Sequence, residues 1–140
     1  MRITICGSMS FAKEMLEAQD FLEAKGHVCF LPEQVEEYAS GLISNKGGSE
    51  GAQRKIENDL IRKHYNLIQD SDAILVLNYK KGDVDNYIGG NSFLEIGFAH
   101  ILRKKIFLIN PIPNINFIKQ EIEAVQPIIL DGDLGSIKFS

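Results

Sequence analysis

Short apolar runs alternate with amphipathic segments along most of the chain. Five runs are almost continuously hydrophobic, and turn-forming residues bound most of them: residues 3–6, 27–31, 73–77, 106–109 and 127–130. A strand that is apolar on both faces is typical of a parallel sheet covered by helices on both sides. The pattern therefore predicts about five buried strands.

The segments between these runs carry apolar residues at helical spacing. The first stripe repeats every three or four residues and consists of Phe11, Met15, Ala18 and Leu22. Ser10 is placed to cap this helix at its start, and Gly26 ends it. Further helices are predicted around residues 56–68, 92–102 and 117–124.

This alternation of strands and helices predicts an α/β fold. We expect a doubly wound, Rossmann-like or flavodoxin-like sandwich with right-handed crossovers and a parallel sheet of about five strands. With 140 residues, the chain fits one domain spanning residues 1–140. Residues 38–51 contain four glycines and three serines with little periodicity, so they are expected to form a mobile loop of the kind that often serves as a lid.

Composition and charge exclude several classes of protein. A hydrophobic content of 44% with 24% charged residues is ordinary for a soluble globular domain. The net charge of −4 and the lack of a basic patch argue against nucleic acid and membranes as partners. No apolar stretch approaches 18 residues, so a cytoplasmic location is expected. Cys6 and Cys29 lack metal-binding spacing and are predicted to be buried thiols, so we expect neither a metal nor a cofactor.

Glu95 is the most informative residue of the chain. It is the only formally charged residue between Asp85 and Arg103, and its neighbours are apolar. Moving a carboxylate out of water costs roughly several kcal/mol of hydration free energy unless a charged or hydrogen-bonding partner compensates. If the helix starts near Ser92, Glu95 lies in its first turn, where the helix dipole favours ionisation by about 0.3–1 kcal/mol. Glu95 is then either a nucleophile or a glutamate hydrogen-bonded to an amide at the helix start.

Ligands of doubly wound sheets bind outside the carboxyl ends of the strands. The candidate substrate-binding residues at this edge are Gly7, Ser8, Phe11, Gly89, Gly90, Asn91 and Asn110. The glycines allow close approach to the backbone, and Asn91 or Ser92 can cap the following helix. Asp72 opens the third strand, so it belongs at the opposite edge and is expected to be structural.

The chain resembles the nucleoside 2-deoxyribosyltransferase family and its nucleotide N-glycosidase relatives. The resemblance lies in Ile-Cys-Gly-Ser at 5–8, in residues 59–77, and above all in Glu-Ile-Gly-Phe-Ala at 95–99. It implies that Glu95 attacks the anomeric carbon of a (deoxy)nucleoside or nucleoside 5′-monophosphate. The covalent sugar intermediate then passes to another base or to water. The resemblance also implies a homo-oligomer in which a neighbouring subunit completes the cleft.

Two positions depart from the family pattern. The second carboxylate of the family is replaced by His64, and Gly89 stands where an aspartate or serine is usual. Since its unperturbed pKa is about 6.5, His64 is a candidate catalytic proton donor to the leaving base, or else a structural histidine. The first turn lacks the arginine of some nucleotide hydrolases of the family, which leaves recognition of a 5′-phosphate open.

Two non-enzymatic alternatives remain at this point. Loss of the second carboxylate is compatible with a nucleotide-binding regulatory module that keeps the fold without the chemistry. A purely structural interaction domain is the third hypothesis. Base release that depends on Glu95 distinguishes the enzyme from both.

Overall fold

The computed structural model describes residues 1–43, 56 and 59–138. The strands are β1 (Arg2–Cys6), β2 (Val28–Phe30), β3 (Ala73–Val76), β4 (Lys105–Leu108) and β5 (Ile128–Ile129). The helices are α1 (Ala12–Ala24), α2 (Val35–Ser40), α3 (Leu60–Gln69), α4 (Gly90–Ile101) and α5 (Lys119–Ala124). Short 3₁₀ helices occupy Met9–Phe11 and Leu134–Ser136.

The five strands form one parallel sheet in the order β2-β1-β3-β4-β5. In the register of the central pair, Ile3 lies opposite Ala73 and Cys6 opposite Val76. This order is that of the flavodoxin-like doubly wound folds, whose ligand site lies between β1 and β3. The predicted fold class and strand number are confirmed.

Alternate residues of the central strands face two separate apolar cores. Ile3, Ile5 and Leu75 belong to the core that also contains Met15 and Leu22 of α1. The intervening residues of the same strands pack into the second core, with Ile68 of α3, Ile96 of α4 and Ile122 of α5, and they include Cys6, Ile74 and Val76. Burial on both faces explains why these strands are apolar at most positions rather than alternating.

Three local predictions are corrected. Ser8, not Ser10, is the capping residue of the first helical segment, and its side chain accepts a hydrogen bond from the Ser10 amide. Helix α4 begins at Gly90 rather than near Ser92, and its N-cap is Gly89, so neither Asn91 nor Ser92 caps it. The Gly89 carbonyl accepts the first helical hydrogen bond, from the Phe93 amide, and no side chain caps this helix start.

Part of the predicted lid loop is helical. Helix α2 runs over Val35–Ser40 and ends at Gly41, whose φ of 85° suits glycine. The helix has 6 residues, of which only Val35 is buried, so the sequence shows no periodic apolar stripe here. Residues 44–51 of the predicted loop lie outside the described residues. Within the described part of the chain, no helix combines the length and hydropathy needed to cross a membrane.

Candidate active site

A cavity of about 480 Å³ opens at the carboxyl edge of β1 and β3. Its walls come from the β1 turn, from the segment after β2, from α3 and from the start of α4. The polar or charged side chains that line it are Ser8, Glu33, Gln34, Tyr38, Lys63, His64, Lys81, Tyr87, Asn91, Ser92 and Glu95. This volume lies within the range of sites for small organic ligands, about 300–1,000 Å³.

Gly7 makes the turn at the end of β1 possible. A β-carbon at this position would lie 3.1 Å from the Leu77 carbonyl oxygen and 3.3 Å from the Met15 methyl group. The φ of 155° is also one that side-chain-bearing residues rarely adopt. Residue 7 must therefore be glycine for the backbone to run between β3 and α1. This path of the backbone places Ser8 at the cavity wall.

Glu95 is the sixth residue of α4 and therefore lies in its second turn, not in the first turn as predicted. The helix dipole falls off within the first turn, so it supplies little of the compensation that the buried carboxylate needs. His64 of α3 supplies a specific partner instead, since its Nε2 lies 3.2 Å from Glu95 Oε2. Only 14% of the Glu95 side chain is exposed, and it is exposed to the cavity.

Burial dominates the chemistry of His64. The residue is 6% exposed, and loss of hydration lowers the pKa of its ring to about 4. The backbone of Ile5 opposes this shift but is the weaker influence. At pH 7 the ring is neutral, so its contact with Glu95 is a hydrogen bond donated by Nε2–H rather than an ion pair.

Cys6 lies behind this pair at the end of β1. Its Sγ is 3.5 Å from His64 Nε2, and the residue is fully buried. Burial raises the pKa of the thiol well above its ordinary value, and the neighbouring Glu95 carboxylate raises it further. The thiol is therefore protonated at neutral pH, and the predicted character of Cys6 and Cys29 as buried free thiols is confirmed.

Lys81 brings a positive charge to the first turn. The residue follows β3, and its Nζ lies 3.0 Å from Ser8 Oγ and 4.9 Å from the centre of the Tyr87 ring. Tyr87 in turn packs on Gly89, where an added β-carbon would lie 2.8 Å from the Tyr87 hydroxyl. The glycine before α4 thus makes room for an aromatic wall of the cavity.

An ion pair between Lys63 and Glu33 lies on the cavity wall. Lys63 Nζ of α3 is 3.3 Å from Glu33 Oε1, which follows β2, and both side chains are about half exposed. Among the described residues that line the cavity, Glu33 is the one carboxylate besides Glu95.

The structure brings most of the sequence-predicted site residues together. Those that line the cavity are Gly7, Ser8, His64, Gly89, Gly90, Asn91 and Glu95. Phe11 does not line it, because its buried ring packs edge-to-face on Tyr79 with centroids 5.6 Å apart. The structure therefore places Phe11 in the apolar core and not at the cavity wall.

Asn110 does not line the cavity either. Its backbone amide donates to Asn78 Oδ1, and its side chain donates to the Asn78 carbonyl. The buried Asn78 amide reciprocates by donating to the carbonyls of Asn110 and Pro111. Asn110 is therefore part of a clamp that joins the ends of β3 and β4. Asp72 lies at the amino edge, as predicted, where it accepts a hydrogen bond from the Arg2 amide.

The fold of the chain was compared with known proteins. No family model and no curated protein matches its sequence. Among solved structures, a 2-deoxyribosyltransferase from Bacillus psychrosaccharolyticus superimposes with a TM-score of 0.65 at 19% identity, over 99% of this chain and 93% of that one. This chain has the 2-deoxyribosyltransferase fold.

A second enzyme shares the same architecture at lower similarity. CMP N-glycosidase from Clostridium botulinum superimposes with a TM-score of 0.51 at 18% identity, over 94% of this chain and 90% of that one. Both matches span nearly the whole of each protein. At these identities the 2-deoxyribosyltransferase fold is what the likeness establishes, and the chemistry must be argued from the cavity.

Sequence reasoning missed Glu33 and Lys81 as cavity residues. Both lie in turns at the carboxyl edge of the sheet, Glu33 after β2 and Lys81 after β3. The strand-end rule that selected Gly7 applies equally to these turns. Applying it to every strand, with charged residues included, finds them both.

Proposed function

We propose that this chain cleaves the N-glycosidic bond of a (deoxy)nucleoside or nucleoside 5′-monophosphate, with Glu95 as the nucleophile. The observation that carries the proposal is the position of Glu95. It is a mostly buried carboxylate, hydrogen-bonded at 3.2 Å, that faces a nucleoside-sized cavity at the ligand edge of the sheet. Two enzymes of the same fold, a 2-deoxyribosyltransferase and a CMP N-glycosidase, support this assignment.

The proposed reaction proceeds through a glycosyl ester. A Glu95 carboxylate oxygen attacks the anomeric carbon, the bond from that carbon to the base nitrogen breaks, and the base leaves with the bonding electrons. The departing base takes up a proton. A second base, or water after losing a proton, then attacks the same carbon and releases Glu95. The first outcome is transfer, and the second is hydrolysis.

His64 is best suited to orient Glu95. A neutral ring at pH 7 has its Nε2–H directed at Glu95, and a histidine with a pKa of about 4 is a poor acid at that pH. We therefore expect His64→Leu to lower kcat about 100-fold with little change in KM, the scale of a misplaced reacting group. His64→Gln keeps an N–H donor and should recover part of kcat. Equal loss in both variants would contradict orientation by a hydrogen bond.

Glu33 is the best candidate for the general base that takes up the proton of the attacking water. It is the other carboxylate of the described cavity wall, and its ion pair with Lys63 at 3.3 Å favours a carboxylate that accepts a proton rather than one that donates it. General bases contribute about 10²–10⁴ in rate, so Glu33→Gln should lower kcat by at least about 100-fold. The matched control is Glu36→Gln, because Glu36 is exposed on α2 and does not line the cavity. Full activity in Glu33→Gln would remove the assignment.

Lys81 and Ser8 favour a 5′-monophosphate substrate. The Lys81 ammonium and the Ser8 hydroxyl are 3.0 Å apart on the cavity wall, and both can donate to phosphate oxygens. The lysine supplies the charge that the first turn lacks. A hydrogen bond to a charged group contributes about 1.5–3 kcal/mol, so Lys81→Met should lower kcat/KM for the monophosphate about 10- to 100-fold.

The nucleoside without phosphate should be affected much less by the same substitution. Lys80→Met is the control, since Lys80 is the exposed neighbour and does not line the cavity. If Lys81→Met lowers activity equally on nucleoside and monophosphate, Lys81 does not read the phosphate.

We further propose that a second copy of the chain covers the cavity. Ile61 and Leu94 line it, yet they are 42% and 46% exposed. Ile101, seven residues after Leu94 on the same helix, is 79% exposed. Leu94→Glu should shift the mass measured by light scattering toward the monomer. Val84→Glu is the control, because Val84 is similarly exposed at 40% but lies outside the cavity wall. A monomeric wild-type protein would refute the proposal.

One experiment tests the central assignment. The protein is incubated with a panel of nucleosides and 5′-monophosphates, with and without a free acceptor base, and the products are separated by chromatography. Base release that is lost in Glu95→Ala and Glu95→Gln, with a sugar adduct on Glu95 by mass spectrometry, is expected. Ligand-dependent thermal stabilisation without any base release would instead establish the regulatory module.

A further inference from the structure

Three side-chain atoms of the types that can bind zinc converge behind the cavity from three separate elements. They are Cys6 Sγ at the end of β1, His64 Nε2 on α3 and a Glu95 carboxylate oxygen on α4, all within 4.8 Å of one another. We propose that these three side chains form a Zn²⁺ site. The sequence suggested no metal because residues 6, 64 and 95 show no ligand spacing.

Two of the three distances between the ligand atoms match a tetrahedral zinc centre, and the third is within 4.8 Å. Sγ and Nε2 are 3.5 Å apart, and Nε2 and Oε2 are 3.2 Å apart. Tetrahedral zinc, with bonds of about 2.3 Å to sulfur and about 2.0–2.1 Å to nitrogen and oxygen, separates these pairs by about 3.6 and about 3.3 Å. Small rotations of the side chains bring all three atoms to one metal.

The charges of the ligands also suit zinc. On binding, the Cys6 thiol loses its proton to solvent, and the thiolate sulfur bonds to the metal. Thiolate and carboxylate together carry two negative charges, which balance the two positive charges of Zn²⁺ in a buried site. A set with one soft sulfur, one imidazole and one carboxylate favours zinc over Mg²⁺ or Ca²⁺, which prefer oxygen ligands.

Among the described residues, Glu95 is the ligand through which the site reaches the cavity. Cys6 is fully buried, whereas the Glu95 side chain is 14% exposed to the cavity. The metal must therefore enter past Glu95, and a water in the cavity can supply the fourth ligand. On the proposed function, zinc occupies the nucleophile, so metal and substrate exclude each other.

Binding is tested without substrate, using Co²⁺ as a spectroscopic probe for zinc. Chelator-treated protein is titrated with Co²⁺, and one metal per chain with a thiolate-to-cobalt charge-transfer absorption is expected, displaced by Zn²⁺. Cys6→Ser should lose the absorption and weaken Zn²⁺ binding at least about 100-fold, since even substitutions outside the ligand set cost 10- to 100-fold. Cys29→Ser, which alters the other buried thiol, should change neither.

Two results would overturn the zinc site. One is Co²⁺ binding to wild-type protein without a thiolate absorption, a result that does not depend on whether Cys6→Ser folds. The other is a variant result that does not single out Cys6: the absorption persists in folded Cys6→Ser, or it is lost in Cys29→Ser.

Inhibition is measured separately, with the substrate identified from the panel. Zn²⁺ should raise KM in the wild-type enzyme without lowering kcat at saturating substrate. Folded Cys6→Ser should need at least about 100-fold more Zn²⁺ for the same effect, relative to its own metal-free rate. Inhibition that more substrate does not relieve would contradict exclusive binding. If no substrate turns over, the proposed function fails while the cobalt titration still decides the zinc site.

Discussion

His64 makes the stability of the metal-free protein depend on acid. The ring titrates with a pKa of about 6.5 when the chain is unfolded and about 4 when it is folded. Between these values the unfolded chain binds a proton that the folded chain does not, so the free energy of unfolding falls as pH falls. Well above pH 6.5 the ring is neutral in both the folded and the unfolded chain, so no stability is lost there.

The size of the effect follows from the difference between the two pKa values. A difference of about 2.5 units corresponds to about 3 kcal/mol over the whole window from pH 6.5 to pH 4. Between pH 7 and pH 5 the loss due to His64 alone is about 2 kcal/mol. For a domain of this size that is a large fraction of the total stability, which is typically about 5–15 kcal/mol.

The measurement is urea unfolding at pH 7 and pH 5 with a chelator present, in wild type and in His64→Gln. Glutamine keeps an N–H donor toward Glu95 but does not titrate. His27 is also buried, and burial lowers its pKa, so it adds to the loss in both proteins. The difference between the two proteins therefore isolates His64. His100→Asn serves as the control, because His100 is exposed and should leave the loss unchanged.

A parallel fall in stability of wild type and His64→Gln would refute this reasoning. It would mean that the Glu95 carboxylate, 3.2 Å away, offsets the cost of burying a charged ring. The contact would then be an ion pair, and His64 would be available as an acid at neutral pH.

Two further predictions concern the framework of the site. Gly7→Ala places a methyl group 3.1 Å from the Leu77 carbonyl oxygen, and we expect it to lower the free energy of unfolding by about 1–3 kcal/mol, measured by urea unfolding; unchanged stability would show that the turn can relax. Asn78→Ala removes hydrogen bonds of 2.9–3.0 Å to Asn110 and Pro111 and should cost about 3 kcal/mol, whereas Asn114→Ala, at an exposed position, should cost less than about 0.5 kcal/mol.

The clearest outcomes of sequence reasoning are the five strands and their parallel arrangement. Continuous apolar runs of four or five residues mark strands buried on both faces, because each face must meet its own layer of helices. Glu95 was selected by the same logic in reverse, as a charge within an apolar helix. Both signals are local, because the residues on either side of a position indicate whether its side chain is buried or exposed.

Local signals were weaker where short segments compete. Helix α2 buries only Val35, so no periodic stripe announces it. The start of α4 was misplaced by two residues because Asn91 and Ser92 have good capping side chains, while Gly89 caps without one. That small shift moved Glu95 from the first turn to the second, where the helix dipole no longer compensates the burial of the carboxylate.

By itself the sequence determined the fold class, and it selected the carboxyl edge of the sheet and Glu95 as the candidate site. Only the tertiary structure decided which residues surround Glu95. Cys6 and His64 lie 58 positions apart in the chain yet meet at 3.5 Å, and Lys81 reaches Ser8 across 73 positions. Such contacts depend on which strands are neighbours in the sheet and on how the helices pack against its two faces. No local pattern in the sequence encodes these arrangements.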